Sequence, residues 1–205
     1  IHDWAVAQYP ELPHILLGHS MGSWVAMSAL QKGADFDLAL ISGSSKPKVL
    51  ESFVQKLLVR FETMRLGGAG YSNFLHKTIF GNFNAKFKDA ETPNDWLSRD
   101  KISVENYTND PLCGFVVTNQ LWLDVIQGVS SVFIQSNLHL ISKDIPVLVF
   151  SGSEDPVGGM GKGTTELHNC LVESGCKSTL LLIKGARHET LNETDKMDTY
   201  KYIIN

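Results

Sequence analysis

The sequence predicts an α/β fold built on a parallel sheet, and three observations point to it. Four short apolar runs lack the alternation of half-exposed strands. Helical patterns fall between them. One run passes straight into a helix through a glycine-flanked serine. Continuous apolar runs bounded by turn residues are what strands covered by helices on both faces require, and strand alternating with helix gives a parallel sheet.

The chain opens at Ile1 and runs into Asp3, Trp4, Ala5 and Val6 as though entering mid-helix, so it reads as part of a longer polypeptide. Residues 14–18 form the first apolar run. Residues 21–32 then carry Trp24, Val25, Met27 and Leu30 at helical spacing and stop at Gly33, a favourable helix-ending residue. Residues 38–42 form the second run. Between Ser45 and Ile141 the pattern changes to helices without a strand. The longest, residues 47–66, has Leu50, Phe53, Val54, Leu57, Phe61 and Met64 at helical spacing, with Lys56, Arg60 and Glu62 elsewhere. Another, residues 115–128, holds Val116, Leu121, Leu123, Val125 and Ile126. The plain reading of these stripes is the core of a small helical subdomain. Placed between the second and third strands, the block reads as a cap over the strands' C-terminal ends, where open α/β sheets bind ligands. Residues 146–151 and 179–183 complete the sheet, joined by a helix over residues 164–174, and a weakly helical stretch follows Asp195. The expected division is a first core segment at 1–45, a helical cap at 46–141 and a second core segment at 142–205.

Composition excludes several classes. The 205 residues are 43% apolar and 20% charged, an ordinary globular balance. Eighteen basic residues against 22 acidic ones leave a net charge of −4, which offers no broad footprint for nucleic acid. No run approaches the roughly 18 to 20 apolar residues of a membrane-spanning helix. Cys113, Cys170 and Cys176 cannot all pair, and none stands in a C-x-x-C arrangement. This sparse, odd count fits a reducing compartment, so the expectation is a soluble, cytoplasmic protein.

Gly18-His19-Ser20-Met21-Gly22 follows one apolar run directly and opens a helix directly, the context a nucleophile elbow requires. Such a turn strains the serine backbone and lifts its hydroxyl above the sheet edge, while Gly18 and Gly22 keep side chains out of the close strand–helix approach. The helix N-terminus presents the Met21 N–H where an oxyanion would form. A serine hydroxyl needs a base, and the base needs an orienting acid. The third strand runs into Glu154 and Asp155, and the fourth into Arg187, His188 and Glu189. Asp155 is preferred to Glu154, because the shorter carboxylate beside Pro156 suits a fixed turn contact to an imidazole. Of seven histidines only His188 lies just after a strand at this edge; His19 is expected to pack beneath the turn. Residues 158–163 lack the Ser or Thr that a Walker A loop needs after Lys162. No metal or organic cofactor is implied.

At these residues the sequence resembles the bacterial monoacylglycerol lipase and lysophospholipase-like α/β-hydrolases, often described as serine aminopeptidase-like hydrolases. The resemblance rests on residues 18–22, 149–158 and 185–189, followed by Leu191-Asn192-Glu193; the cap adds a weaker likeness at residues 109–112. It implies a Ser20–Asp155–His188 triad cleaving carboxylic esters of acyl lipids or small esters through an acyl-enzyme. It also implies about four strands before the elbow, with a His-Gly loop giving the second oxyanion donor beside Met21. Here the elbow strand begins near residue 14, so the expectation is a sheet lacking its N-terminal strands and completed by an absent segment or a second chain. A lipid substrate would bring the cap into transient contact with a membrane, though the basic residues on its first helix are too few to argue this from sequence. The alternatives are a peptidase or acyltransferase using the same triad, or a non-catalytic hydrolase-like fragment.

Overall fold

The structure, a computed structural model, describes residues 1–204. Asn205, at the end of the expected second core segment, lies outside the described residues. In chain order the elements are α1 (His2–Gln8), β1 (Ile15–His19), α2 (Met21–Gln31), β2 (Leu38–Ser42), α3 (Val49–Leu66), α4 (Asn73–Asn84), α5 (Lys101–Asn109), α6 (Asn119–Val132), α7 (Gln135–Leu138), β3 (Val147–Gly152), α8 (Lys162–Glu173), β4 (Ser178–Ile183) and α9 (Lys196–Ile204), with a 3-10 turn at Thr190–Asn192.

The four strands form one parallel sheet in the order β1-β2-β3-β4, with helices on both sides. The register pairs Leu17 with Leu40, Ala39 with Val147 and Phe150 with Leu181. Ala39, Ile41, Val147 and Val149 face one core with Met27 and Leu30 of α2 and Leu167 and Leu171 of α8. Leu40 and Phe150, on the alternate positions, are buried as well. Burial on both faces is why these runs are continuously apolar. At the edge, β1 pairs only with β2 among the described residues, and its Ile15 and Leu17 are 54% and 48% exposed.

The helices between β2 and β3 depart from expectation in instructive ways. Helix α3 starts at Val49, just after Pro47. Helix α6 starts at Asn119 and not near Phe115, because the Thr118 hydroxyl accepts the Leu121 N–H as a cap and Thr118 forms an antiparallel bridge with Tyr71. The α3 stripe is not core: Leu50, Phe53, Val54, Leu57, Phe61 and Met64 are all exposed, by 48 to 80%. The buried side carries Val59 and Glu62. Polar contacts decide this orientation. The Glu62 carboxylate accepts from Ser72 Oγ at 2.6 Å and from the Arg65 guanidinium at 2.7 Å, while the Asn119 amide donates to the Glu62 and Gly67 carbonyls. The arginine hydrogen bond first and the serine second hold the Glu62 carboxyl below the usual range, against the effect of burial. Side chains so bonded turn inward and leave the apolar stripe outside.

Candidate active site

Every loop of interest leaves the C-terminal end of a strand, so the parallel sheet gathers residues far apart in sequence at one edge. Ser20 sits between β1 and α2 with φ 53° and ψ −125°, a left-handed conformation that a non-glycine residue adopts only under constraint. The constraint is visible. The Ser20 N–H donates to the Ser42 carbonyl at 2.9 Å, and the Ser20 carbonyl accepts from the Ser23 N–H at 2.9 Å and from the Ser23 hydroxyl. A Cβ at Gly18 would lie 2.5 Å from the Gly22 carbonyl and 2.7 Å from Ala26 Cβ, so only glycine fits there. Gly22 is different, and the expectation for it is corrected. A Cβ there would meet nothing within 4 Å, because it is the Gly22 carbonyl that crowds the strand. Met21 opens α2, and an N–H in that position has no intrahelical acceptor.

Beyond β3, Asp155 is completely buried while Glu154 is exposed. Asp155 Oδ1 lies 3.0 Å from His188 Nδ1 and accepts the Val157 N–H at 2.8 Å; Oδ2 accepts the Ser151 hydroxyl at 2.6 Å. Burial works to raise the pKa of this carboxyl, but the His188 imidazole and these hydrogen bonds outweigh it and hold the group below the usual carboxylate range. His188, 2% exposed, follows β4. Its ring centroid lies 4.7 Å from that of His19 and 5.1 Å from the indole of Trp96. A Cβ on Gly43, which has φ 57°, would come within 2.9 Å of Cε1 of both imidazoles, so the two rings meet over a bare backbone. Among the described residues no hydrogen bond joins the Ser20 hydroxyl to His188; Ser20 is tied to this spot through Ser42, the residue before Gly43. Such contacts are commonly long before a substrate binds.

The histidine loop is clamped to the segment between α4 and α5. Buried Glu193 accepts the Arg187 N–H at 2.7 Å and Arg99 Nε at 2.9 Å, and the Leu97 carbonyl accepts the Glu189 N–H at 2.7 Å. The Arg187 guanidinium donates to the Asp95 carbonyl at 2.6 Å and lies 4.1 Å above the Phe87 ring. Sequence reasoning missed Gly43 and Trp96, and gave no role to Ser151 and Glu193, which lie within the segments that carry the resemblance. For Gly43 a signal existed, a glycine immediately after an apolar strand at the edge in question. Trp96 sits outside any periodic stretch and carried none.

A groove of about 460 Å³ begins at Met21 and runs between α2 and α6, lined by Trp24, Val25, Leu121, Val125 and Val129. No helix among the described residues is long and apolar enough to cross a membrane, and all three cysteines are free.

Residues 1–195 match the model of the family described as serine aminopeptidase, S33. The chain belongs to that family. Its architecture is the α/β-hydrolase fold. It is similar to a highly thermostable carboxyl esterase from Bacillus coagulans, solved with glycerol, at 25% identity and a TM-score of 0.87, covering 98% of this chain and 66% of that one. It is also similar to a lipase in its open form (22% identity, TM-score 0.84, 98% and 66% covered). A third likeness is to the monoacylglycerol lipase of Paleococcus ferrophilus (21% identity, TM-score 0.63, 98% and 70% covered). The lipase likenesses, below 25% identity, speak to fold alone. The chain spans 66% of the length of the first two of these structures. No curated protein matches the sequence.

Proposed function

We propose that this α/β-hydrolase is a serine ester hydrolase that cleaves carboxylic esters of acyl lipids or small esters through an acyl-enzyme. The observation that carries the reading is the buried Asp155–His188 pair beside the strained turn bearing Ser20. His188 takes the Ser20 proton as the hydroxyl attacks the ester carbonyl. Asp155, held anionic, fixes the ring nitrogen facing it as N–H and stabilises the imidazolium. The tetrahedral oxyanion lies against the Met21 N–H at the start of α2. His188 then returns the proton to the departing alcohol, and a water activated by the same imidazole hydrolyses the Ser20 ester.

The groove from Met21 along α2 and α6 supports an apolar acyl chain as part of the substrate. The exposed α3 stripe supports transient contact of the cap with a lipid surface. The likeness to a carboxyl esterase favours esters, while the description of the family keeps aminopeptidase activity as the second reading. A fluorophosphonate probe is expected to label Ser20, and Ser20→Ala to abolish labelling; labelling that survives the substitution excludes the assignment. Monoacylglycerols, p-nitrophenyl esters and aminoacyl anilides then separate lipase, esterase and peptidase.

A further inference from the structure

His19 is not consumed by this mechanism, yet its ring packs closer to the His188 imidazole than that of Trp96 does. Its Nδ1 lies 3.2 Å from the hydroxyl of Ser42, which is wholly buried. Its ring and that of His188 lie 4.7 Å apart, inclined at 46°, and both place Cε1 over Gly43. Trp96, also near-buried, stands 5.1 Å from His188 at 37°. His188 is thus bounded by Asp155 at Nδ1, by one ring from the cap and by one ring from the elbow. Only its Nε2 is left for proton transfer.

We propose that the His19 ring, packed at the elbow, makes this a positioning residue that sets the orientation of the His188 ring toward Ser20. The proposal rests on the reading of Ser20 as nucleophile. An imidazole anchored only at Nδ1 can still swing about that hydrogen bond, and a displacement of about 1 Å can reduce a rate by about 100-fold. A ring packed at the elbow removes that freedom, because His19 moves with the turn that carries the hydroxyl. The groups facing His19 are His188 from the β4 loop, Asp155 from the β3 loop, and the uncharged Ser42 and Gly43 from β2. Burial first and His188 second press the His19 pKa down to about 4, against the pull of Asp155. His19 therefore adds no second positive charge where the imidazolium forms.

The test compares the protein with His19→Ala and His19→Phe. Two quantities are read: the rate of fluorophosphonate labelling at Ser20, and the low-field proton resonance of the His188–Asp155 hydrogen bond. Removing the ring is expected to slow labelling by about 10- to 100-fold and to broaden the resonance. Phenylalanine, restoring a ring without the ring nitrogens, is expected to recover the resonance and most of the rate. Should His19→Ala fail to fold, judged by thermal melting, His19→Phe decides alone. His19→Ala labelling at the parent rate with an unchanged resonance overturns the proposal, as does a folded His19→Phe protein that loses both. Absence of Ser20 labelling in the parent protein would instead sink the nucleophile assignment, and the resonance would still report the ring.

Discussion

The hydroxyl of Ser151 donates a 2.6 Å hydrogen bond to Asp155 Oδ2, on the carboxylate oxygen that His188 does not use. Both residues are fully buried. In Ser151→Ala that oxygen loses its partner away from water, at a cost of about 1 to 3 kcal/mol. The folded-state pKa of Asp155 is depressed, so its contribution to stability is present above the unfolded-state value and is lost as pH falls through the folded value. The substitution weakens the depression. Urea unfolding followed against pH should show Ser151→Ala less stable at neutral pH and losing its remaining Asp155 contribution at a higher pH than the parent.

His19 acts on acid stability in the same sense through opposite chemistry. Its folded pKa of about 4 lies below the ordinary 6.5, so the unfolded chain binds the proton first as pH falls. Stability therefore declines between about pH 6.5 and 4, by about 3 kcal/mol at most. His19→Phe carries no such proton in either state. Its unfolding free energy should change less steeply across that window; an identical slope in both proteins would contradict the burial of a neutral His19.

The two glycines of the elbow should part company. Gly18→Ala drives a methyl group into the Gly22 carbonyl and Ala26, and is expected to destabilise by about 1 to 3 kcal/mol or to prevent folding. Gly22→Ala meets open space inside a helix and should be neutral or stabilising by up to about 1 kcal/mol. Chemical denaturation of the two variants checks this, and equal losses would refute the packing argument.

Glu193 is buried, with Arg99 and the backbone of the histidine loop bonded to it. Glu193→Ala leaves the Arg187 N–H without its acceptor and Arg99 with only Asp195, 2.7 Å away, and should cost about 1 to 3 kcal/mol. Arg99→Ala, Glu193→Ala and the pair of both, measured by urea unfolding, form a double-mutant cycle that should give a favourable coupling energy between the two side chains.

The α3 stripe predicts association with a lipid surface. Phe53→Glu with Leu57→Glu, both on the exposed face, should reduce co-sedimentation with phosphatidylcholine vesicles while leaving thermal stability nearly unchanged. Stability falling sharply would mean that the stripe is covered within the molecule.

The sheet was legible because its strands are buried on both faces, which writes an apolar run directly into residues 38–42 and 146–151. The elbow was legible for a similar reason: Gly18 is required by a 2.5 Å approach, so composition and geometry coincide. Asp155 could be preferred over Glu154 from its place beside Pro156, and the structure buries the former and exposes the latter. The helical block between β2 and β3 was legible as helices but not in orientation. Periodicity reports an apolar face on α3 without saying what it meets, and the Glu62, Ser72 and Asn119 contacts that turn it outward depend on residues up to 57 positions apart. Trp96 escaped for the same reason, and His19 was placed at the turn without its partner His188, since a ring's neighbour across the fold leaves no local periodicity.

The parallel order of the sheet has a temporal consequence. The hydroxyl arrives with the first strand, the glycine floor with the second, the carboxylate with the third and the imidazole with the last. On the proposed triad, a half-assembled molecule holds Ser20 before its acid and base are in place, and the site is complete only when β4 has docked.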